Sequence, residues 1–347
     1  MWVEINFMKI LITGQFLKGS LEASYCDAFN ANGCEVYRFN VSDYVNPLLL
    51  NRLANKFLNS YVQNILNKYF KKRIYEIRPE LVFVIKGEFI SPETLKELKK
   101  TKHLKIFNFN PDNPFNENKA ASSDLIRNSI QYYDAYFIWG KFLIPALIKA
   151  GAKHVEYLPF AYDPELHYPL QVSEHEIKKY GNDIAFIGSW DKEREEFLES
   201  LTNFDLAIWG NGWQKLKWNS KLKSKWKKKD VIGEEFSKVC NSSKIVLNHI
   251  RAQNGNAHNM KTFEIPACNG FMLTKRTEEQ GEFFEEGKEI ACFSTPVELD
   301  AMIRKYVNND SIRNQIKINA RKKIQPHTYF ERAKKILDLY ENLKKSL

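Results

Sequence analysis

Asn182-Asp183-Ile184-Ala185-Phe186-Ile187-Gly188-Ser189 decides the fold. It reads as a short apolar strand stopped by a glycine turn, and Asp191-Lys192-Glu193-Arg194-Glu195-Glu196-Phe197-Leu198 then begins a helix. The same order has already run once from the start of the chain. Met8-Lys9-Ile10-Leu11-Ile12-Thr13 is a strand ending in Gly14-Gln15, and a helical stretch runs from Gly19-Ser20 to Asn32. Ser20 is its expected N-cap and Gly33 its stop signal. A chain that restarts this rhythm near residue 182 carries two α/β units.

Working outward, the first half continues with strands at Glu35–Phe39, Leu81–Ile85, Lys105–Phe109, Ala135–Trp139 and Val155–Leu158. Leu81-Val82-Phe83-Val84-Ile85 is a continuous apolar run of the kind buried on both faces of a sheet. Residues 46–76 read as a long amphipathic helical region, and Ser91-Pro92 opens another helix with proline in its first turn. The second half adds strands at Leu206–Trp209, Lys244–Asn248 and Gly270–Thr274, and closes in helices, the last at about 329–346. Strands alternating with helices imply parallel sheets with right-handed crossovers. Between the halves, Leu158–Pro169 carries three prolines in twelve residues and predicts an extended linker. The expected architecture is therefore α/β: two Rossmann-like domains, 8–163 and 170–329. Their parallel sheets would face a central cleft at the strand C-termini, where ligands of open α/β sheets bind.

A length of 347 residues suits two such domains, and 44% apolar with 14% aromatic residues supplies two cores. No run approaches the ~20 apolar residues of a membrane span. The opening Met1–Phe7 carries an acid and lacks a basic n-region, so it is not read as a signal peptide, and Met8 is a candidate start. Five cysteines without a CxxC pair fit buried thiols in a reducing cytoplasm, and no Cys/His spacing suggests zinc. A net charge of +10 favours anionic partners without choosing among them.

Three stretches could carry chemistry. The first is Asn256-Ala257-His258-Asn259-Met260-Lys261-Thr262-Phe263-Glu264, a polar loop feeding a short helix. Glu264 could accept two hydrogen bonds from a ribose diol, and the helix N-terminus, with Lys261 and Arg251, suits a diphosphate. Asn256, His258, Asn259 and Phe263 are read with Glu264 as donor-binding. The second is the turn at Gly188-Ser189, whose backbone N–H groups and nearby Arg194 could hold phosphate. The third is Asn110-Pro111-Asp112-Asn113-Pro114, placed after a strand of the first half, where Asp112 could meet an acceptor hydroxyl or act as a base. Each has a plainer reading: a solvated Glu beside a cap, a helix start with mixed charges, an ordinary Asp-Asn-Pro turn. His103, His154 and His167 show no partner in the sequence and are assigned to surface or linker. Residues 213–229 interleave eight lysines with Trp213, Trp218 and Trp226 and contain no acid. That pattern suits an anionic membrane surface, or a solvated face; nucleic acid is the less expected partner.

Taken together these segments resemble the CgeB-like (spore maturation protein-like) glycosyltransferases, the C-terminal half looking like a group 1 glycosyltransferase domain. Asp183–Ser189 with Glu193-Arg194-Glu195, Ile208–Trp213, Asn259–Glu264 with Gly270, and His327–Arg332 carry the likeness. Met8–Ile12, Lys86-Gly87, Asp112-Asn113-Pro114 and Tyr157–Ala161 add to it more loosely. The resemblance implies a GT-B fold, a nucleotide-sugar donor, a glycan, lipid-linked or protein acceptor, and no bound divalent metal or other cofactor. It also implies a cytoplasmic enzyme of cell-surface glycan synthesis whose last helix, at about 330–347, packs back on the first domain; the Lys215–Lys229 stretch adds an expected peripheral contact with the inner face of the membrane. In related retaining enzymes a Glu-x7-Glu pair sits at the donor. The second Glu maps onto Glu264, but the first falls on Asn256, which leaves the stereochemical outcome open. Lys261 stands where the family usually has Arg, keeping the charge and losing the bidentate fork. Two rivals remain at this point: a sugar-nucleotide epimerase of the same shape, and a basic nucleic-acid- or membrane-binding protein with a vestigial transferase fold.

Overall fold

The computed structural model describes residues 7–45, 56–116 and 122–345. The chain forms two compact units, one from Met1–Pro159 with Tyr329–Leu347, the other from Phe160–Thr328.

In the first unit the order is β1 (Lys9–Gly14), α1 (Leu21–Ala31), β2 (Glu35–Asn40), α2 (Lys56–Ile77), β3 (Leu81–Ile85), α3 (Pro92–Leu98), β4 (Lys105–Asn110), α4 (Asp124–Ser129), β5 (Ala135–Ile138), α5 (Ile144–Lys149) and β6 (Val155–Tyr157). The strands form one parallel sheet in the order β2-β1-β3-β4-β5-β6. All five residues of β3 are buried, as its unbroken apolar run requires. Ser20 caps α1 by accepting from the Ala23 N–H, and Ser91 with Pro92 opens α3 in the same way. Of the helical region expected at 46–76, residues 46–55 lie outside the described residues, and α2 accounts for the rest.

The second unit runs α6 (Glu174–Tyr180), β7 (Ile184–Ile187), α7 (Lys192–Glu199), β8 (Leu206–Trp209), α8 (Glu234–Ser242), β9 (Ile245–Asn248), α9 (Lys261–Ala267), β10 (Met272–Lys275), α10 (Glu278–Phe283), β11 (Ala291–Phe293), α11 (Pro296–Val307) and α12 (Asp310–Lys323). Its sheet is parallel throughout, in the order β11-β10-β9-β7-β8. The three-residue β11 has no periodicity that marks it in the sequence. The proline-rich stretch is less of a free linker than its composition suggests. From Phe160 onward it is woven into this unit: the Phe160 N–H donates to His258 Nε2, and the Tyr162 N–H to the His327 carbonyl. The last helix, α13 (Tyr329–Lys345), belongs to the first unit. Tyr329 packs edge-on to Tyr25 of α1, and the buried Arg332 Nε donates to the Pro159 carbonyl at 2.8 Å. All five cysteines are free thiols.

In each sheet the first strand of the unit has a neighbour on either side, so the winding direction reverses there. The crevices beyond the C-terminal ends of β1 and β3, and of β7 and β9, are the topological switch points. These are the places where open α/β sheets bind ligands.

Candidate functional site

At the switch point of the second unit, β7 runs into Gly188-Ser189-Trp190, and Asp191 then caps α7 by accepting the Arg194 N–H at 2.8 Å. The cap holds Arg194 in the first turn, where its Nη1 donates back to the Ser189 carbonyl at 2.7 Å. Arg251, beyond the end of β9, reaches the same carboxylate. Asp191 Oδ2 lies 3.5 Å from both Arg194 Nε and Arg251 Nη1. Burial, then the charge of Arg251, pushes the Arg194 guanidinium down to about 10, so it stays protonated at neutral pH. His249 completes the group. Burial, then Arg194, pushes its imidazole down to about 4, and it is neutral at pH 7. Arg194, Arg251 and Lys275 thus act on His249 against the carboxylates of Asp191 and Glu193, the latter 3.6 Å from Nε2. Three cations against two anions leave a positive surplus suited to an anionic ligand.

The turn contributes differently from expectation. The Gly188 N–H is engaged by the Trp209 carbonyl and the Trp190 N–H by that of Asn211, so Gly188 does not offer its N–H to phosphate. The Ser189 N–H alone in this turn has no partner among the described residues. Gly188 matters because the turn after β8 crosses it. A Cβ added at Gly210, whose φ is +141°, would meet the Gly188 carbonyl oxygen at 2.2 Å.

Glu264 sits in a second niche of the same unit. It is 4% exposed, yet its surroundings are polar. Oε2 accepts from Lys261 Nζ at 2.8 Å, and Oε1 is 3.9 Å from His167 Nε2 and makes no hydrogen bond among the described residues. Phe236 of α8 forms one wall, with the Lys261 ammonium 4.9 Å and the His167 ring 5.4 Å from its centroid. Burial alone would raise the Glu264 carboxyl; Lys261 outweighs it and holds the group below its usual range, ionised. Burial lowers His167, which is therefore a neutral neighbour at pH 7. His167 was assigned to a surface or linker role, and 97 positions of separation from Glu264 give no signal that would pair them.

The other residues of the 256–264 stretch hold the loop. His258 is fully buried: its Nε2 accepts from the Phe160 N–H, so Nδ1 carries the proton and donates to Glu279 Oε2 at 2.7 Å. Phe263 is equally buried and stacks on His327 at 4.8 Å. Asn259 Nδ2 donates to Asn248 Oδ1 at 2.8 Å, tying the start of α9 to the end of β9. Asn256 is exposed, and its carbonyl accepts from the Glu279 N–H. The expected ligand contacts of His258 and Phe263 are thus replaced by packing. The first turn of α9 offers no open cradle either, since the Thr262, Phe263 and Glu264 N–H groups are bonded to the Asn259 and Met260 carbonyls.

In the first unit, Asn110 Oδ1 accepts the Asp112 N–H at 3.0 Å, and the Asp112 carboxylate lies 3.0 Å from Lys86 Nζ. Lys86 also pairs with Glu88 at 2.6 Å and holds a left-handed φ of 61°, a conformation costly for a side-chain-bearing residue. Gly14-Gln15, Lys86-Gly87 and Pro111-Asp112, read separately in the sequence, end neighbouring strands of one sheet. Among the described residues no three His, Cys, Asp or Glu side chains gather as metal ligands, and no helix is long and apolar enough to cross a membrane.

Residues 213–229 form an anchored platform. Trp213, Leu216 and Leu222 are buried in the core of the second unit, and the backbone from Lys225 to Lys229 bonds to Ile208 and Gly210 of the β8 edge. Trp218 stands 87% exposed. Lys229 pairs with Glu235, but Lys217, Lys221, Lys223, Lys227 and Lys228 have no ion pair among the described residues.

Residues 192–338 match the profile of a family described as glycosyl transferase-like, a stretch that includes Arg194, Arg251, Lys261 and Glu264. No curated protein matches the chain. Among solved structures, sucrose-phosphate synthase from Thermosynechococcus elongatus is similar over 98% of this chain and 100% of that one, with 11% identity and a TM-score of 0.73. Anabaena Alr3699/HepE in complex with UDP-glucose is similar over 96% of this chain and 100% of that one, with 12% identity and a TM-score of 0.65. A putative UDP-N-acetylglucosamine 2-epimerase from Listeria monocytogenes follows over 99% and 98%, with 12% identity and a TM-score of 0.59. At these identities the likeness shows the fold, which is GT-B: two Rossmann-like domains, each with a parallel sheet.

Proposed function

We propose that the chain is a glycosyltransferase that takes its sugar from a nucleotide-sugar held by the second unit. The observation that carries this reading is the pair of guanidiniums, Arg194 and Arg251, sharing one carboxylate at the switch point of that unit's sheet. Sugar transfer breaks the bond from the anomeric carbon to phosphate oxygen, and negative charge builds on the departing diphosphate. Preorganised cations stabilise that charge without bound metal. In this reading Arg194 and Arg251 hold the diphosphate, with the Ser189 N–H beside them. Glu264 Oε1 accepts from the ribose, while Lys261 keeps the carboxylate ionised and oriented and turns its remaining N–H donors to phosphate. On the acceptor side the assignment is Asp112, held by Lys86 near the hydroxyl that attacks.

UDP-glucose is the first donor to try, since Alr3699/HepE was solved with it. Calorimetric titration of UDP and UDP-glucose tests the reading. Arg194→Ala is expected to weaken UDP by about 1.5–3 kcal/mol, roughly 10- to 100-fold, as for other charge-assisted hydrogen bonds. Equal affinity in the variant removes Arg194 from the site. The epimerase alternative finds no support in the glycosyl transferase-like match at 192–338. Incubation with donor and no acceptor separates the two, because an epimerase converts the sugar unaided. We further propose that residues 213–229 bring the protein to an anionic membrane face. The five lysines without an ion pair among the described residues supply attraction, and Trp218 suits the headgroup level.

A further inference from the structure

The first unit holds a cavity of about 400 Å3 at the C-terminal ends of β1 and β3, the switch point of its sheet. Most of its wall is apolar: Leu17, Val41, Val62, Leu66, Ile85 and Phe89 line it. Val41, Val62 and Leu66 belong to a hydrophobic cluster of their own, with Phe89 packed against it. Leu17 stands at the cavity 66% exposed, a large apolar side chain left in water.

Its polar lining joins the charged Glu22, Lys86 and Glu88 to the neutral Gln15, Ser20 and Gln63. Glu22 Oε1 accepts the Gln15 N–H at 3.2 Å, and a Cβ added at Gly14 would fall 2.3 Å from that oxygen, so the carboxylate rests against bare backbone. Burial, opposed by those hydrogen bonds and aided by the charge of Glu88, holds the Glu22 carboxyl above its usual range. Lys86 also lines the cavity and is paired with both Glu88 and Asp112. Two lining carboxylates, Glu22 and Glu88, face one ammonium that Asp112 further neutralises, so the balance disfavours an anion. Ionised carboxylates only accept, so a partner that engages Glu22 and Glu88 must bring hydrogen-bond donors.

We propose that this cavity binds a neutral amphiphile, its apolar chain seated against Val41, Val62, Leu66 and Phe89 and its hydroxyls donating to Glu22 and Glu88. Only the further statement that this amphiphile is the sugar acceptor rests on the glycosyltransferase reading. Seating a chain in the cavity removes methylenes from water, and affinity rises with each one buried until the cavity is full.

The probes are n-butyl, n-hexyl and n-octyl β-glucoside, each below its micelle concentration, with free glucose as control, titrated into the full chain without donor. Affinity is expected to rise roughly tenfold for each two-carbon step. Leu17→Asp, at an exposed position that does not threaten folding, should weaken octyl glucoside by about tenfold. Glu22→Gln should weaken all three glucosides alike. No binding of octyl glucoside, affinity independent of chain length, or full affinity in Leu17→Asp each overturns the proposal. UDP binding is measured in parallel. If UDP fails to bind while octyl glucoside binds, the glycosyltransferase reading falls and the amphiphile site stands; the reverse result removes the amphiphile site alone.

Discussion

Glu264 shows how much a single residue depends on its neighbours. A carboxylate this buried would ordinarily take up a proton, yet Lys261 at 2.8 Å keeps it charged. Glu264→Gln retains the shape and loses the charge. Donor affinity should fall by about tenfold in calorimetry, and an unchanged affinity sends the ribose elsewhere. His249 gives a pH signature. Its folded pKa is about 4 against 6.5 for the free side chain, so below pH 6.5 the unfolded chain takes up a proton that the folded one refuses. Stability from this group is therefore intact above about pH 6.5 and is lost as pH falls toward 4, by an amount on the order of 3 kcal/mol. Urea midpoints at pH 7.5 and 4.5 should differ less in His249→Gln than in the wild type. A slope that survives the substitution assigns the effect to another group.

At the scale of elements, the turn after β8 is the least replaceable. Gly210 combines a φ of +141° with a backbone oxygen where a Cβ would go, so no rotamer relieves an added methyl group. Gly210→Ala should cost about 2 kcal/mol or more and disturb the Ser189 turn with it; a melting temperature within a degree of wild type contradicts this. The lysine-rich segment behaves otherwise. Its anchors Trp213, Leu216 and Leu222 are buried, while the side chains of the exposed Trp218 and of five lysines make no hydrogen bond or ion pair among the described residues. Trp218→Ala with Lys221→Glu and Lys223→Glu should leave stability unchanged and abolish sedimentation with phosphatidylglycerol vesicles. Binding to single-stranded RNA but not to vesicles would reassign the surface. Trp213 is buried and Trp226 donates its Nε1–H to the Gly210 carbonyl, so a single aromatic is left for base stacking, which argues against a nucleic-acid track.

At the scale of the whole molecule, the first unit is completed by the last helix. α13 buries Tyr329, Ile336 and Tyr340, each contributing about 1.5–3 kcal/mol, and Arg332 reaches the Pro159 carbonyl. Removing residues 329–347 should unfold the first unit and leave UDP binding by the second; loss of both together would mean that the second unit does not stand alone. The double strand–turn–helix rhythm, the cap at Ser20, the helix starts at Ser91-Pro92 and Asp191, and the basic stretch were legible in the sequence, because each depends on residues within one turn or one strand of each other. So was the likeness that singled out Arg194 and Glu264 and led to the GT-B fold. Contacts between distant segments were not legible. His167 reaches Glu264 across 97 positions, and His258 and Phe263 turned inward instead of toward a ligand. The Gly188 N–H found Trp209, and Glu22 came to line a cavity with Val62 and Phe89. Local chemistry sets which backbone shape a segment takes. Which side chains share a niche, and which polar groups are left for a ligand, is decided only when sheet order brings remote strand ends together and packing engages most of their hydrogen bonds.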